Sequence, residues 1–389
     1  MSIHQNSLAY AAYAVFNVMV AKEVNDLVQE PYMDEPFHIP QAQAYCRGEW
    51  DYWDPKLTTP PGLYVLSVIL KRIFLFKCTV PVLRMNSLLL NLMLPPLISH
   101  CLALYRSDRP PRSLLQPSIE SITISAFPIA WFFSFLYYTE LGSVFFVLAT
   151  MLTAGRGAHG WASLMGAISC TFRQTNIVWV AYAAAFGILQ EMRRKRIRSQ
   201  VSKHSTGPTL YDPMALDASL SDIPKILSSI PAILPWLVKT AWPYVVPVVG
   251  FASFVFWNGG IVLGDKSNHV PTLHIPQLFY FVAFASLFGL PVLASTETGI
   301  ISLAGDVTRR KHQTLLQTLL LPVCLLPTLL PTPLIEPRYF LIPYILLRLQ
   351  ARIPNGAVIS EAVWYGFINW ATMFVFLYME RENVGRFMW

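Results

Sequence analysis

Apolar residues occur along this chain in long blocks, separated by short segments rich in charge, proline or both. A helix needs about 20 consecutive apolar residues to cross a bilayer; several blocks reach that length, and the shorter ones must borrow residues from their flanks. The pattern therefore predicts an all-α polytopic membrane protein with roughly 10–12 transmembrane helices. The blocks that we interpret as membrane segments are Leu8–Ala21, Gly62–Tyr105, Ile119–Tyr138, Leu141–Thr153, Trp161–Leu189, Pro235–Trp257, Phe279–Leu293, Leu315–Leu330, Phe340–Leu349 and Val363–Met379.

Two blocks leave the number of crossings open. Basic residues between positions 71 and 84 interrupt Gly62–Tyr105, which crosses either once or twice. The polar quartet Arg173–Asn176 interrupts Trp161–Leu189. It forms either a buried polar site in one long tilted helix or the junction of two short helices.

Composition and charge agree with a membrane protein. The chain has 389 residues, of which 54% are hydrophobic and 13% charged, whereas a soluble domain has about 25% charged residues. Its net charge is +7, but the basic residues form short runs between apolar blocks, which makes nucleic-acid binding an unlikely function. By the positive-inside rule we predict a cytoplasmic basic loop at residues 191–230, and the chain has further polar loops at residues 22–61 and 258–276.

The five cysteines give no spacing pattern that predicts a disulfide framework. Four of them lie in or beside apolar segments, and Cys46, in the first polar loop, has no evident partner. We also expect no resident metal ion, because paired acids such as Asp51 and Asp54 are a weak signal for one.

The stretch Tyr32–Tyr64 is the longest acidic and aromatic interruption in the chain. Aromatic rings stack on sugar faces, and carboxylates bind or deprotonate hydroxyl groups. A site for a sugar therefore competes with an ordinary solvated loop as the interpretation of this stretch.

Four other polar clusters fall on one side of the membrane when the crossings alternate. They are Tyr137–Glu140, Arg173–Asn176, Asn258–His274 and Glu336–Tyr339. The first loop joins them only if Gly62–Tyr105 crosses an odd number of times, which requires Gly62–Phe76 to lie in the interface or re-enter.

Arginines stand out in two of these clusters. An unpaired guanidinium beside a bilayer is costly, so Arg173 and Arg338 either pair with acids such as Glu140 and Glu336 or grip a phosphate.

Several of these segments in order resemble the dolichyl-phosphate-glucose α-1,2-glucosyltransferases of the endoplasmic reticulum. The resemblance extends over nearly the whole chain. The matching motifs are YMDEPFHIPQAQAYC with WDP and PGLY after it, FFSFLYYTELGS, FRQTNIVW, NGGIVLGDKSNH, HIPQLFYF, EPRYFLIPY and the terminal RFMW.

This resemblance implies a single GT-C transmembrane domain over residues 1–389, with its site facing the lumen. It implies an inverting transfer of glucose from dolichyl phosphate glucose to a diglucosylated, dolichyl-diphosphate-linked oligosaccharide, with no further cofactor. The base is expected early in the first luminal loop, with Asp34 as first choice and Glu35 as second. Further expected substrate-binding residues are His38, Trp53, Asp54, Glu140, Arg173, Gln174, Asn176, Asp265, Lys266, His269, Glu336 and Arg338.

The chain departs from that family in one segment. Family members carry additional apolar sequence and a luminal Asp-Asn-Arg-His-Tyr motif between the counterparts of Arg309 and Glu336, and here only Lys311–Ile335 separates the two. This departure motivates an alternative function, that of a non-catalytic membrane partner such as a channel regulator. A transporter or flippase has less support, because we find no paired interrupted helices in matching halves.

Overall fold

The computed structural model describes residues 3–106, 110–111, 113–202, 210–264, 266, 272–294, 313–332, 335–380 and 385–387. These residues form helices and only isolated β-bridges, such as the one between Met214 and Thr314. The helices are α1 (Ile3–Leu27), α2 (Glu35–Arg47), α3 (Gly62–Phe74), α4 (Val80–Arg106), α5 (Ile119–Ser125), α6 (Pro128–Phe133), α7 (Glu140–Gly155), α8 (His159–Phe172), α9 (Asn176–Ser202), α10 (Asp222–Ala241), α11 (Val245–Asn258), α12 (Pro276–Phe288), α13 (Leu290–Ala294), α14 (Leu315–Leu329), α15 (Leu341–Gln350) and α16 (Asn355–Tyr378). Single 3₁₀ turns precede α11 and α15.

Two helical stretches in the described residues are long and apolar enough to cross a membrane. They are α4 and the continuous run Asp222–Asn258, which comprises α10, a 3₁₀ turn and α11. Helices α7, α12 and α14 are apolar but shorter. The predicted all-α architecture is confirmed, and the predicted number of crossings stays a prediction.

Large apolar side chains cover the outside of several helices. In α11, Phe256 is 91% exposed and Trp257 is 80% exposed. Along α16, exposed apolar residues recur every three or four positions, which places them on one helix face; they are Ile359, Val363, Phe367, Trp370, Phe374 and Tyr378. Continuous apolar surface of this kind is typical of contact with lipid or a partner rather than with water.

The centre of the bundle is formed by α4, α7, α8 and α9, whose backbones approach closely. A Cβ atom at Gly187 of α9 would lie 2.5 Å from the carbonyl oxygen of Ala154 in α7. Small residues permit such contact between membrane helices, so this pair fixes the distance between α7 and α9.

Helix α3 bears on the number of crossings in the block Gly62–Tyr105. With 13 residues it is roughly 20 Å long, too short for a hydrocarbon core of about 30 Å. Its inner face packs on α2, and its outer face exposes Val65, Ile69 and Ile73. In this block only α4 has the length and apolar composition of a membrane-crossing helix, and whether the block crosses once or twice stays a prediction.

A disulfide joins Cys46 at the end of α2 to Cys78 just before α4. The expectation that Cys46 has no partner was therefore wrong. The two cysteines are 32 positions apart, and only the folding back of α3 on α2 brings them together. Because disulfides persist in oxidising compartments, this bond favours a location of the loop outside the reducing cytosol.

The polar quartet lies between two helices, as the second of our two interpretations stated. Helix α8 ends at Phe172, and α9 begins at Asn176. The predicted basic loop at residues 191–230 differs from the structure in its boundaries. Helix α9 continues through the basic run to Ser202, and α10 begins at Asp222, because arginine and lysine are good helix formers.

Candidate active site

Segments far apart in sequence meet at one end of the bundle. The side chain of Arg338 lies 3.0 Å from that of Asp34, 304 positions earlier in the chain. The same guanidinium lies 3.7 Å from Glu140, which in turn accepts a hydrogen bond from Arg173. The structure thus brings the first loop together with three of the four other polar clusters found in the sequence.

Asp34 is the accessible acid of this group. It precedes the first residue of α2, and its backbone N–H donates to the hydroxyl of Tyr138. Its Oδ2 accepts from Nη1 of Arg338, and its side chain remains 43% exposed. The preceding residue, Met33, has a φ of +58°, a left-handed conformation that is uncommon for residues with a side chain. Asp34 is therefore held in place by its neighbours yet open to a substrate.

Glu35 has a different environment from its neighbour. Its side chain is fully buried, and Arg84 donates to both of its oxygens at 2.9 and 2.6 Å. The backbone N–H groups of Tyr32 and Tyr137 donate to the same oxygens at 2.9 and 2.7 Å. Four hydrogen bonds fix the side chain of Glu35 and tie α2 to α4, to the segment between α1 and α2 and to the segment before α7. This geometry argues for Asp34, and against Glu35, as a base.

Arg338 is surrounded by carboxylates. Its Nε donates to Glu336, and its Nη1 faces Asp34 and Glu140. Burial by itself lowers the pKa of Arg338, but the charges of Glu140, Glu336 and Asp34 outweigh it and raise the pKa above the ordinary value. Arg338 therefore stays cationic throughout the physiological pH range.

Arg173 completes the ionic group. Its Nη2 donates to Oε1 of Glu140, and its guanidinium lies 5.6 Å from the ring centre of Tyr339. Its Nε is buried and has no hydrogen-bond partner among the described residues. A buried donor without a partner is costly, so this atom is a candidate contact for a ligand oxygen. Both arginines pair with acids, as the first of our two interpretations of them stated.

His38 lies one helical turn after Asp34 and is buried. Its Nδ1 is 2.7 Å from the hydroxyl of Tyr64, and its ring packs edge-on against that of Tyr138. Burial lowers the pKa of His38, an effect that the carboxylates of Asp34 and Glu140 only partly oppose. The imidazole is therefore neutral at pH 7.

The loop after α2 borders the same region. The ring of Trp53 lies 6.1 Å from that of Tyr64, and its buried Nε1 has no hydrogen-bond partner in the part of the chain that the structure describes. Gln174 donates to the carbonyl of Thr58 at 2.6 Å, which joins this loop to the turn between α8 and α9. The carboxylate of Asp54 accepts from the backbone of Lys56 and so stabilises the loop itself.

The remaining predicted residues have other surroundings. Asn176 is buried and bonds to Ser143 and to the carbonyl of Ser169, which is a tie between helices. The ammonium group of Lys266 donates to the carbonyl of Asn258. Asp265 and His269 lie outside the described residues.

Arg84 and the tyrosines at positions 64 and 138 were not among our predicted site residues. The sequence contained a sign of the role of Arg84, since a charged residue within an apolar block requires a buried partner. It contained no feature that distinguishes the two tyrosines from ordinary core residues. Among the described residues, no group of three or more His, Cys, Asp and Glu side chains is arranged to hold a metal ion.

The described residues thus define an all-α bundle with exposed apolar faces, two helical stretches long enough to cross a membrane and an ionic site at one end. The sequence profile of the DIE2/ALG10 family matches residues 28–310 and 300–349. The chain belongs to this family. The two matched ranges overlap at residues 300–310.

Curated relatives carry one shared name, Dol-P-Glc:Glc(2)Man(9)GlcNAc(2)-PP-Dol alpha-1,2-glucosyltransferase. The Homo sapiens protein of that name is 31% identical, and the match covers 93% of this chain and 94% of that protein. The Arabidopsis thaliana protein is 28% identical over 94% of this chain and 96% of its own length. The Emericella nidulans protein is 35% identical over 76% of this chain and 54% of its own. No solved structure matches the chain.

Proposed function

We propose that this protein transfers glucose from dolichyl phosphate glucose to a diglucosylated, dolichyl-diphosphate-linked oligosaccharide and forms an α-1,2 linkage. Family membership and the shared name of the relatives support the reaction. The observation in this structure that carries the proposal is the pairing of an exposed carboxylate, Asp34, with a partly buried guanidinium, Arg338. One can accept a proton, and the other can balance the charge of a phosphate.

The reaction that these groups support is a single displacement with inversion. Asp34 takes the proton of the acceptor 2-hydroxyl. At the same time the oxygen of that hydroxyl forms a bond to C1 of the glucose. The bond between C1 and the phosphate oxygen breaks on the opposite face, and dolichyl phosphate leaves with the electron pair. Arg338 and Arg173 lie where they can stabilise that leaving anion. Since both are paired with acids in this structure, the donor phosphate must compete for or share these contacts.

Other proposed site residues have supporting roles. The neutral imidazole of His38 and the ring of Trp53 lie on the side of the first loop, where they suit the sugar part of a substrate. Glu140 and Glu336 orient the arginines. We retain Gln174, Asp54 and Lys266 as further candidates, keep Asp265 and His269 as candidates from the sequence alone, and expect no metal or cofactor.

We further propose a GT-C architecture in the endoplasmic-reticulum membrane, with the site facing the lumen. The Cys46–Cys78 disulfide supports the luminal placement, because it joins the two helices that border the site and requires an oxidising compartment. The basic run in α9 lies at the other end of that helix from the site, as the positive-inside rule expects.

The test of this function uses cells that lack the protein. Their microsomes should accumulate the diglucosylated lipid-linked precursor, and the wild-type chain should restore the final glucose. Asp34→Ala should lower the transfer rate by about 10²–10⁴-fold, because the general base is lost. Asp34→Glu should retain part of the activity, and Glu30→Ala, in the same connecting segment, serves as the matched control.

Two outcomes would count against the proposal. If the wild-type chain restores no glucose, the function is wrong. If Asp34→Ala restores it as well as the wild type does, the function stands and the assignment of the base fails. The alternative of a non-catalytic partner is not favoured by the comparisons, since the relatives that match nearly the whole chain are named as transferases.

A further inference from the structure

The end of the chain folds back onto the segment that carries Asp34. The hydroxyl of Tyr32 lies 2.9 Å from the carbonyl oxygen of Arg386 and 2.5 Å from that of Phe387, so its single proton is donated to the C-terminal backbone. The ring of Tyr32 also packs 5.0 Å from that of Phe376 in α16. Tyr32 therefore connects the first loop to the last described residues of the protein.

The C-terminal residues are themselves anchored. The guanidinium of Arg386 donates to the carbonyls of Phe376 and Leu377 at 3.0 and 2.8 Å and lies 3.0 Å from the carboxylate of Glu380. Carbonyls in the last turn of a helix have no partner within the helix, so a cation there is favourable. Arg386 thus fixes the C-terminal backbone against the end of α16.

Only Met33 separates Tyr32 from Asp34, and its left-handed φ of +58° costs free energy that surrounding contacts must supply. Besides the hydrogen bonds between the backbone of Tyr32 and Glu35, the contacts on either side include the bond from the Tyr32 hydroxyl to the C-terminal backbone and the bond from the Asp34 N–H to Tyr138. A change at either contact would let Met33 relax toward an ordinary conformation. The carboxylate of Asp34 would then turn relative to Arg338.

We propose that residues Gly385–Phe387 act as a positioning strap, which through Tyr32 holds the Asp34 carboxylate in its reactive place. This inference rests on the function proposed above, with Asp34 as base. Neither Tyr32 nor Arg386 touches a substrate in this scheme; both act through Asp34. A small displacement of a catalytic group reduces the rate far more than it reduces binding.

The experiment uses the purified full-length protein in detergent or nanodiscs, with dolichyl phosphate glucose and a diglucosylated lipid-linked acceptor. Tyr32→Phe removes the hydrogen bond and keeps the ring, and Arg386→Ala releases the strap from α16. Each should lower kcat by about tenfold or more, with KM for both substrates within about twofold of the wild type. Arg386→Lys, which keeps the charge, should recover part of the loss.

The matched control is Tyr378→Phe. It removes a hydroxyl from the end of the same helix, α16, where Tyr378 donates to Glu23 of α1 at 2.8 Å. This hydrogen bond also joins the C-terminal helix to the first helix, but it does not touch the segment of Asp34. We expect Tyr378→Phe to keep the wild-type kcat.

A second measurement separates positioning from general stability. If the strap acts through Asp34, adding Tyr32→Phe to Asp34→Ala should change the residual rate by less than about twofold. The proposal of a strap is wrong if Tyr32→Phe lowers kcat by the same factor in the wild type and in Asp34→Ala. It is also wrong if Tyr32→Phe and Arg386→Ala each keep the wild-type kcat. Absence of glucose transfer by the wild-type protein would instead refute the proposed function.

Discussion

At the scale of single residues, Asp34 and Glu35 show how neighbouring acids acquire different roles. The sequence presents them as an acidic pair at the start of a polar loop. In the structure, Glu35 points into the bundle and meets Arg84, whereas Asp34 remains 43% exposed beside Arg338. The carboxylate with four hydrogen bonds serves the fold, and the carboxylate with an open face is left for chemistry.

This difference predicts the effect of substitutions at Arg84. Arg84→Met should destabilise the protein by about 3–5 kcal/mol, because it leaves the carboxylate of Glu35 buried without its partner. The double variant Glu35→Gln with Arg84→Met should be more stable than Arg84→Met alone, since it removes the unpaired charge. Thermal unfolding of the purified variants checks both statements. Asp34→Asn is the control, and we expect its melting temperature to be near that of the wild type. If Arg84→Met has the same melting temperature as the wild type, the prediction is wrong.

His38 predicts a dependence of stability on pH. Its pKa in the folded protein lies below the ordinary value of 6.5, so the folded state binds fewer protons than the unfolded state. The contribution of His38 to the free energy of unfolding should therefore be constant above about pH 7.5 and should fall as the pH drops through about 6.5. Melting temperatures of the wild type and His38→Gln between about pH 5 and 8 measure this contribution. A wild-type curve parallel to that of His38→Gln would show that His38 does not contribute.

At the scale of elements, α2 and α3 pack against each other as a hairpin beside the site. The disulfide and the hydrogen bond from Lys71 of α3 to the carbonyl of Cys46 hold its two arms together. The sequence predicted the acidic and aromatic character of this region but not the bond between its arms. Spacing does not reveal a pairing that depends on how α3 folds back.

The disulfide yields a prediction for the hairpin. Cys46→Ser should lower the free energy of unfolding by about 2–4 kcal/mol, because the unfolded chain gains freedom. Cys170→Ser, which removes a free thiol, is the comparison. In the denatured wild type, Cys46 and Cys78 should react with an alkylating reagent only after reduction, which mass spectrometry can follow. Alkylation of both without a reductant would refute the bond.

At the scale of the whole molecule, two ionic groups lie at opposite ends of α16. Near its N-terminus, Arg348 lies 2.8 Å from Glu361 and 2.9 Å from Glu120, which also pairs with Arg106 at 2.6 Å. Its C-terminus lies beside Tyr32 and the candidate site. A helix of 24 residues spans about 36 Å, comparable to the hydrocarbon thickness. The first group joins α4, α5, α15 and α16 away from the site, and we interpret it as a contact that stabilises their packing.

This arrangement predicts the orientation of the chain in the membrane. Two cysteine variants test it. Asp51 lies on the exposed part of the first loop, and Gly160 lies in open space at the start of α8, at the other end of the bundle. In sealed microsomes, a membrane-impermeant maleimide should label Gly160→Cys at once and Asp51→Cys only after permeabilisation. Labelling of the wild type provides the background. The reverse order would place Asp34 in the cytosol and remove the basis of the proposed reaction.

The sequence by itself determined the helical class, the family and the segments that supply the polar residues of the site. Those properties follow from the length of apolar blocks and from motifs that are local in the chain. The tertiary structure alone decided that Glu35 is buried, that Cys46 pairs with Cys78 and that the C-terminal residues hold Tyr32. The contact between Tyr32 and Phe387 joins residues 355 positions apart. Such contacts depend on how the helices pack, and a local pattern contains no record of which distant backbone a side chain will meet.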